Sequence, residues 1–338
     1  MFVLEMLKTK FNKIFYLLVI FIILQTSDLF GKSTDSFDVD KFPKSKISWK
    51  EWILKTKNDL RNKNFKDNTL NYLDNIKFNR RIIELDRKQP EFRLTFDKYF
   101  NNVVNIQSIN KINKQHNKNK TLLKKIELEF NVSATILSAL WGIETAFGKH
   151  TGKMDIIRSL ASLAYDGRRK EFFTNELENA LNILESDHVE RNTFKGSWAG
   201  AFGQTQFMPS TFLKYAIDFD GDSKVNLFKK TDALASGANY LKKIGWNNNL
   251  QWGEEIDIQL TDELKKLAKN KVYKDITFWL DKGIKLNKEY GKSKLKLVIP
   301  DSNNNQCYLV SKNYDVILTW NRSNYFALTV FLFSDEIK

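Results

Sequence analysis

Apolar residues recur at helical spacing along most of the chain and give way to short alternating runs towards its C-terminal end. Over 48–79 the recurring positions are Trp49, Trp52, Ile53 and Leu60, then Leu70, Tyr72, Leu73 and Ile76, which predicts helices around a loop near 62–67. Helical patterning continues over 92–130, interrupted by a very polar Asn/Lys stretch at 110–120. Ser133 stands where it can cap a helix carrying Ile136, Leu137, Leu140, Trp141 and Ile143. Two more helices are expected over 154–165 and 171–186. After Trp246, the runs 256–260, 295–299, 308–310 and 316–318 alternate or cluster as short strands, and 323–332 reads as a closing helix. No internal repeat is visible. The expected class is α+β, mainly α, with a helical core over 48–250 and a small β-containing section with its closing helix over 251–338.

One position breaks this pattern. Leu137, Leu140 and Glu144 share a helical face, so Glu144 places a carboxylate where a leucine is expected. Such a group loses hydration, which disfavours its charged form and raises its pKa, as a proton donor working near neutral pH requires. The alternative is a glutamate paired with a buried Arg or Lys.

The N-terminal residues contribute Lys8, Lys10 and Lys13, the apolar run 14–24 and then polar 25–28. This is the layout of an export signal, 1–31, either cleaved or retained as an anchor. The run is shorter than the roughly 20 residues of a spanning helix. Residues 32–47 read as a polar linker. The formal charge is +14, of which +13 belongs to the part after residue 31, since three lysines stand against Glu5 and Asp28 before it. That basicity suits anionic partners. It is scattered, with no Arg-rich block or nucleic-acid motif, so an acidic cell-envelope polymer fits better than nucleic acid. Cys307 is the only cysteine, which excludes an intramolecular disulfide, and it reads as inert.

Two further segments carry chemistry. Residues 195–211 combine closely spaced glycines with Ser197, Gln204, Thr205 and Gln206 beside Trp198 and Phe207. Glycines allow close backbone approach, and neutral hydrogen-bonding groups beside aromatic rings suit a sugar. The run Asp218-Phe219-Asp220-Gly221-Asp222-Ser223-Lys224 resembles the opening of a calcium loop. It departs from that motif at the sixth position, Ser223, and the twelfth, Lys229. Asp218, Asp220, Asp222 and Asp232, with the Lys224 carbonyl, are the candidate ligands for a structural calcium ion. No cofactor is expected for the chemistry. His116, His150 and His188 lack zinc-ligand spacing, and neither a nucleophile elbow nor a phosphate-binding loop is present.

Taken together, these runs resemble the membrane-bound lytic murein transglycosylase B family, enzymes with a lysozyme-like core that cut peptidoglycan. The resemblance extends from about residue 74 to the C-terminus. It rests on 141–148, 160–169, 196–210, 218–222, Trp320-Asn321-Arg322-Ser323 and Leu85-Asp86-Arg87-Lys88-Gln89-Pro90-Glu91-Phe92. It implies that Glu144 is the catalytic acid and base, with Ser197, Gln206, Phe207 and Asn321 lining the cleft and Arg168 and Arg169 close to the glycan. The expected reaction is cleavage between N-acetylmuramic acid and N-acetylglucosamine, with the muramic C6 hydroxyl as nucleophile and a 1,6-anhydro end as product. The rival readings are a hydrolytic muramidase and a non-catalytic peptidoglycan-binding scaffold. One departure is that Phe326 stands where the family usually has Tyr, with Tyr325 one position earlier. The implied setting is an exported, monomeric envelope protein acting on peptidoglycan strands, membrane-associated where the N-terminal segment is retained.

Overall fold

The computed structural model describes residues 45–87, 94–301 and 306–338. The export signal over 1–31, most of the 32–47 linker and residues 88–92 of the Leu85 to Phe92 run lie outside these.

The helices are α1 (Trp49–Arg61), α2 (Asp67–Leu70), α3 (Arg80–Arg87), α4 (Phe96–Val103), α5 (Ile106–Lys118), α6 (Lys120–Phe130), α7 (Ala134–Thr145), α8 (Ile156–Asp166), α9 (Lys170–Glu185), α10 (Pro209–Tyr215) and α11 (Lys230–Lys243). Towards the C-terminus follow α12 (Asp262–Lys269), α13 (Ile276–Asp281), α14 (Lys312–Trp320) and α15 (Asn324–Asp335). A two-stranded ribbon pairs β1 (Met154–Asp155) with β2 (Lys195–Gly196). A four-stranded antiparallel sheet has the order β3 (Gly253–Ile256), β6 (Cys307–Val310), β5 (Lys294–Val298), β4 (Tyr273–Asp275).

Three apolar clusters organise the molecule. The first surrounds α7 and draws on α4, α5, α6, α11 and α15; the second joins α1, α3, α8, α9 and the 194–212 segment. The third packs α12 and α13 on the sheet. Strand side chains alternate in direction, and both faces of the sheet are used. Leu295, Leu297, Cys307 and Leu309 face α12 and α13, whereas Val298, Tyr308 and Val310 face the α7 cluster. The sheet is thereby tied to the helices that carry Glu144.

Several sequence expectations need correction. The polar 110–120 stretch interrupts the helical pattern only at Asn119, between α5 and α6: α5 runs through most of it to Lys118, because Asn105 and Ser108 form a capping box and Ile112 anchors the buried face. Asn113 and Asn119 turn their amides back onto the Ile109 and Gln115 carbonyls. Ser133 sits at the N-cap of α7 but its hydroxyl meets Thr135, and Glu127 Oε1 accepts the Ala134 N–H instead. Residues 316–318 lie in α14, where Tyr314, Ile317 and Phe326 of the next helix share one buried surface. The strand expected at 256–260 lies at 253–256, where Gly253 to Ile256 pair with Val310 to Cys307 of β6. Met154 and Asp155 belong to the ribbon, so α8 begins at Ile156, and Asp155 caps it by accepting the Arg158 N–H at 2.8 Å.

The ribbon sets two loops side by side, one following α7 and one following β2. Their closest approach is at Gly152, whose φ is +94° and where a Cβ would lie 2.1 Å from the Gly196 carbonyl. We expect Gly152→Ala to cost about 2–4 kcal/mol of stability in urea unfolding, combining left-handed strain with backbone overlap.

Candidate active site

Glu144 lies in the last turn of α7, with only 2% of its surface exposed. Oε1 accepts the Trp320 indole N–H at 2.9 Å, and Oε2 is buried without a hydrogen-bond partner. The buried ion pair considered as the alternative is absent: no Lys, Arg or His among the described residues lies within salt-bridge distance of Glu144. Burial pushes the Glu144 carboxyl up to about 8, and the Trp320 bond pulls the other way.

Comparison with the other buried carboxylates isolates this group. Among the described residues these are Asp86, Asp166, Glu176, Asp232 and Glu254. Asp86 receives the guanidinium groups of Arg168 and Arg169, and Asp166 that of Arg87. Glu176 accepts the Ser210 N–H and hydroxyl, Asp232 the Phe219 and Asn226 N–H groups, and Glu254 the Asn287 and Lys288 N–H groups and the Tyr290 hydroxyl. Glu144 is the member of the set with neither a cation nor a backbone N–H.

The chain after Glu144 reverses sharply. Ala146, Phe147 and Gly148 all have positive φ, at 50°, 66° and 79°. The Ala146 and Phe147 N–H groups cap the Gly142 and Trp141 carbonyls, and Lys111 Nζ donates to the Ala146 carbonyl at 3.2 Å. Gln204 then locks this turn to the second loop. Its side-chain oxygen accepts the Trp141 indole N–H at 2.8 Å, its amide donates to the Phe228 carbonyl, and its own carbonyl accepts the Thr145 hydroxyl at 2.8 Å. Gly148 must lack a side chain, since a Cβ there would fall 2.4 Å from Gln204 Oε1.

The residues expected to line a cleft divide into groups. Ser197 is buried and its oxygen accepts the Ala201 N–H at 3.0 Å, closing the turn after β2. Gln206 has φ of +50° and its amide donates to the Gly203 and Thr151 carbonyls, bridging the two loops. Asn321, at the C-terminal cap of α14 and next to Trp320, accepts the Ser323 N–H at 3.0 Å. Trp198 and Phe207 are buried, so the open aromatic platform expected from them is not present. Phe207 instead packs edge-on against Tyr240 and Trp320. Tyr325 does not replace the hydroxyl missing at Phe326: its OH is bound to Asp301, and Phe326 is core.

Arg168 and Arg169 form a separate cluster on Asp86, with Arg169 also lying over the Phe173 ring. Carboxylate oxygens of Asp218, Asp220 and Asp222 converge within 4.8 Å, as a cation loop requires. Asp218 holds the Gly221 and Ser223 N–H groups, and Ser223 adopts the positive φ of 70° that glycine usually supplies there. Lys229 sends its ammonium to Asp220 at 3.2 Å and to Asp222, and this contact holds the Asp222 carboxyl below its ordinary range.

Sequence reasoning missed the roles of Trp320, Gln204 and Thr145. The one available signal was Trp320 itself, a donor-only indole immediately before Asn321.

The description "Transglycosylase SLT domain" matches residues 48–335 of the chain. The chain is 42% identical over 118 residues to membrane-bound lytic murein transglycosylase B of Escherichia coli strain K12; that alignment spans 35% of the chain and 33% of the relative. Among solved structures, it is similar to SltB3 from Pseudomonas aeruginosa in complex with NAG-NAM-pentapeptide or NAG-anhNAM-pentapeptide. The TM-score is 0.81 at 33% identity, covering 85% of this chain and 79% of that one. It is also similar to the Escherichia coli lytic transglycosylase Slt35 in complex with calcium, with a TM-score of 0.72, 25% identity and coverage of 84% and 92%.

A carboxyl with a raised pKa keeps its proton in the folded chain over a range where the unfolded chain has released it. Its contribution to stability is therefore full below the unfolded value and is lost as pH rises through about 8. Relative to Glu144→Gln, the unaltered chain should lose up to about 1.4 kcal/mol of stability per pH unit between about pH 5 and about pH 8. Urea unfolding of both chains across that range measures the difference, and parallel curves would exclude the raised pKa.

Proposed function

The chain belongs to the transglycosylase SLT domain family, and we propose that it is a peptidoglycan lytic transglycosylase in which Glu144 acts first as acid and then as base. The observation that carries this reading is the buried Glu144 carboxyl, held by one indole N–H and lacking a cation or carboxylate partner among the described residues. The lysozyme-like fold shared with SltB3 supports it.

Glycosidases that hydrolyse ordinarily use two carboxylates, one to protonate the leaving oxygen and one to act as nucleophile or activate water. With the other buried carboxylates committed to structural partners, the nucleophile comes from the substrate. Glu144 delivers its proton to the glycosidic oxygen as the bond from that oxygen to C1 of N-acetylmuramic acid breaks. The resulting carboxylate takes the proton of the C6 hydroxyl as O6 bonds to C1. The acid is regenerated, and the products are an N-acetylglucosamine hydroxyl and a 1,6-anhydro muramic end. A carboxyl near pH 8 in the empty site is suited to both transfers.

The Gly196–Gln206 loop and Asn321 flank this group. Ser197, Gln206 and Asn321 orient the glycan, Phe207 supports the site by holding Trp320, and Arg168 and Arg169 attract the carboxylates of the strand. The helical section over 48–250 supplies the acid and the section over 251–338 closes the cleft. The protein acts as an exported monomer in the cell envelope, with the N-terminal segment as its candidate anchor; no helix among the described residues is long and apolar enough to cross a membrane.

The acidic loop suits a structural calcium ion held by Asp218, Asp220, Asp222 and Asp232 and the Lys224 carbonyl, with no part in the chemistry. Such an ion must displace the Lys229 ammonium. Lys229→Asn should therefore bind calcium severalfold more tightly and show the larger rise in Tm at millimolar calcium. No rise in either chain would mark the loop as a metal-free turn.

Mass spectrometry of digested peptidoglycan tests the reaction. The expected product carries the anhydro end, one water lighter than the hydrolytic product; reducing ends alone would make the protein a muramidase. Glu144→Gln should lower kcat by about 10²–10⁴-fold while keeping the fold. Unchanged cleavage in that variant would remove Glu144 from the mechanism.

A further inference from the structure

Trp320 is the last residue of α14, and its indole is the only group that the described residues offer to Glu144. We propose that Trp320 is the positioning residue that assigns the two oxygens of Glu144 their roles, keeping Oε1 as permanent acceptor and leaving Oε2 to carry and deliver the proton. The inference rests on the reading of Glu144 as the acid.

The argument follows from donor chemistry. An indole N–H donates and cannot accept, so the oxygen that meets it serves as acceptor whether the carboxyl is neutral or charged. The acidic hydrogen therefore belongs on Oε2, the oxygen with no partner in the protein. Once Glu144 has given up its proton, the same N–H meets a carboxylate, and a hydrogen bond to an ionised acceptor is the stronger one. Trp320 thus favours the base form against the burial that favours the acid form, holding a single carboxyl where both transfers are feasible.

The indole is held for this task. Its ring lies 5.5 Å from Phe207 and 5.3 Å from Tyr240, and it borders Gly237, where a Cβ would come 3.5 Å from the ring. Trp141, the other indole nearby, is bound to Gln204.

The titratable groups on elements packed against α7 are occupied elsewhere. Lys111 donates to the Ala146 carbonyl, His116 meets Ser138, Glu127 accepts the Ala134 N–H and Asp232 holds the acidic loop. Tyr240, on α11, donates to the Thr319 carbonyl and is pushed up to about 12, so it stays neutral. Asp335, on α15, accepts the Trp252 indole N–H, and Tyr325 is bound to Asp301.

The test is an infrared titration of the Glu144 carboxyl in the full, substrate-free chain, with its band assigned by its loss in Glu144→Gln. Trp320→Phe keeps an aromatic ring against Phe207 and Tyr240 but removes the donor. Its midpoint should rise by about 1–2 pH units, the value of one hydrogen bond to a charged group. Tyr240→Leu loosens the ring packing without touching the N–H and should leave the midpoint in place. In the unaltered chain, the Trp320 indole resonance should shift with the Glu144 midpoint and stay flat in Glu144→Gln, a reading that does not depend on a variant folding. An unmoved midpoint in Trp320→Phe, an equal shift in Tyr240→Leu or an indole signal indifferent to Glu144 would each overturn the assignment. Because no substrate is present, a chain that failed to cut glycan would overturn the proposed reaction and leave this result standing.

Discussion

Everything at this site depends on keeping one carboxyl out of water without giving it a counter-charge. Glu144 achieves that because α7 is buried along most of its length, between α15 on one side and α5, α6 and α11 on others. A helix surrounded in this way leaves Glu144 only 2% exposed. The cost of ionisation is therefore set by the protein, and the only group among the described residues that reduces it is the Trp320 N–H. The sheet contributes at a distance, since its inner face belongs to the same apolar cluster as α7 and α15 and holds the end of α14 in register with Glu144.

That arrangement needs the chain to leave α7 abruptly, and this requirement explains the backbone around it. Ala146 and Phe147 take left-handed conformations that residues with a side chain normally avoid. The strain is held by Thr145 and Gln204, which tie the turn to the second loop from both sides. The same contacts bring the Gly196–Gln206 segment against the C-terminal end of α7. The glycines at Gly148 and Gly152 serve this contact first, because a side chain at either would overlap the opposing loop, whereas one at Gly196 would strike the Ala201 carbonyl of its own turn.

The sequence made the helical core, the closing helix and the exceptional position of Glu144 legible, because each is a statement about period and polarity. A carboxylate on an apolar face is visible in one dimension. What it pairs with is not: Trp320 is 176 residues away along the chain, and only the packing of α14 brings its indole to Glu144. The errors have the same origin. The 110–120 stretch is so polar that it reads as a long break, yet the break is confined to Asn119 and a single buried position, Ile112, is enough to hold the rest of it in α5. The 316–318 run is β-branched and apolar, yet it is helical because Tyr314 and Ile317 bury on one side of α14. Trp198 and Phe207 read as a sugar platform because aromatic residues beside glycines suit one, and burial of both is a tertiary outcome that neither spacing nor composition encodes.

Burial alone does not make an acid, as the remaining buried carboxylates illustrate. Burial raises Asp166, yet the adjacent Arg87 opposes that rise and supplies a counter-charge. Glu176 is raised by burial too, but its two bonds from Ser210 favour the carboxylate and commit it to the start of α10. Asp232 holds two backbone N–H groups of the acidic loop. In each, the protein has supplied cations or several donors that stabilise the charge, even at Asp166, where Oδ1 has no hydrogen-bond partner. Glu144 receives one neutral donor, on one oxygen. A single donor is enough to orient the carboxyl and too little to hold it ionised, so the proton remains available at the other oxygen. The chemistry of the site thus turns on how few partners the fold gives this residue, not on how deeply it is placed.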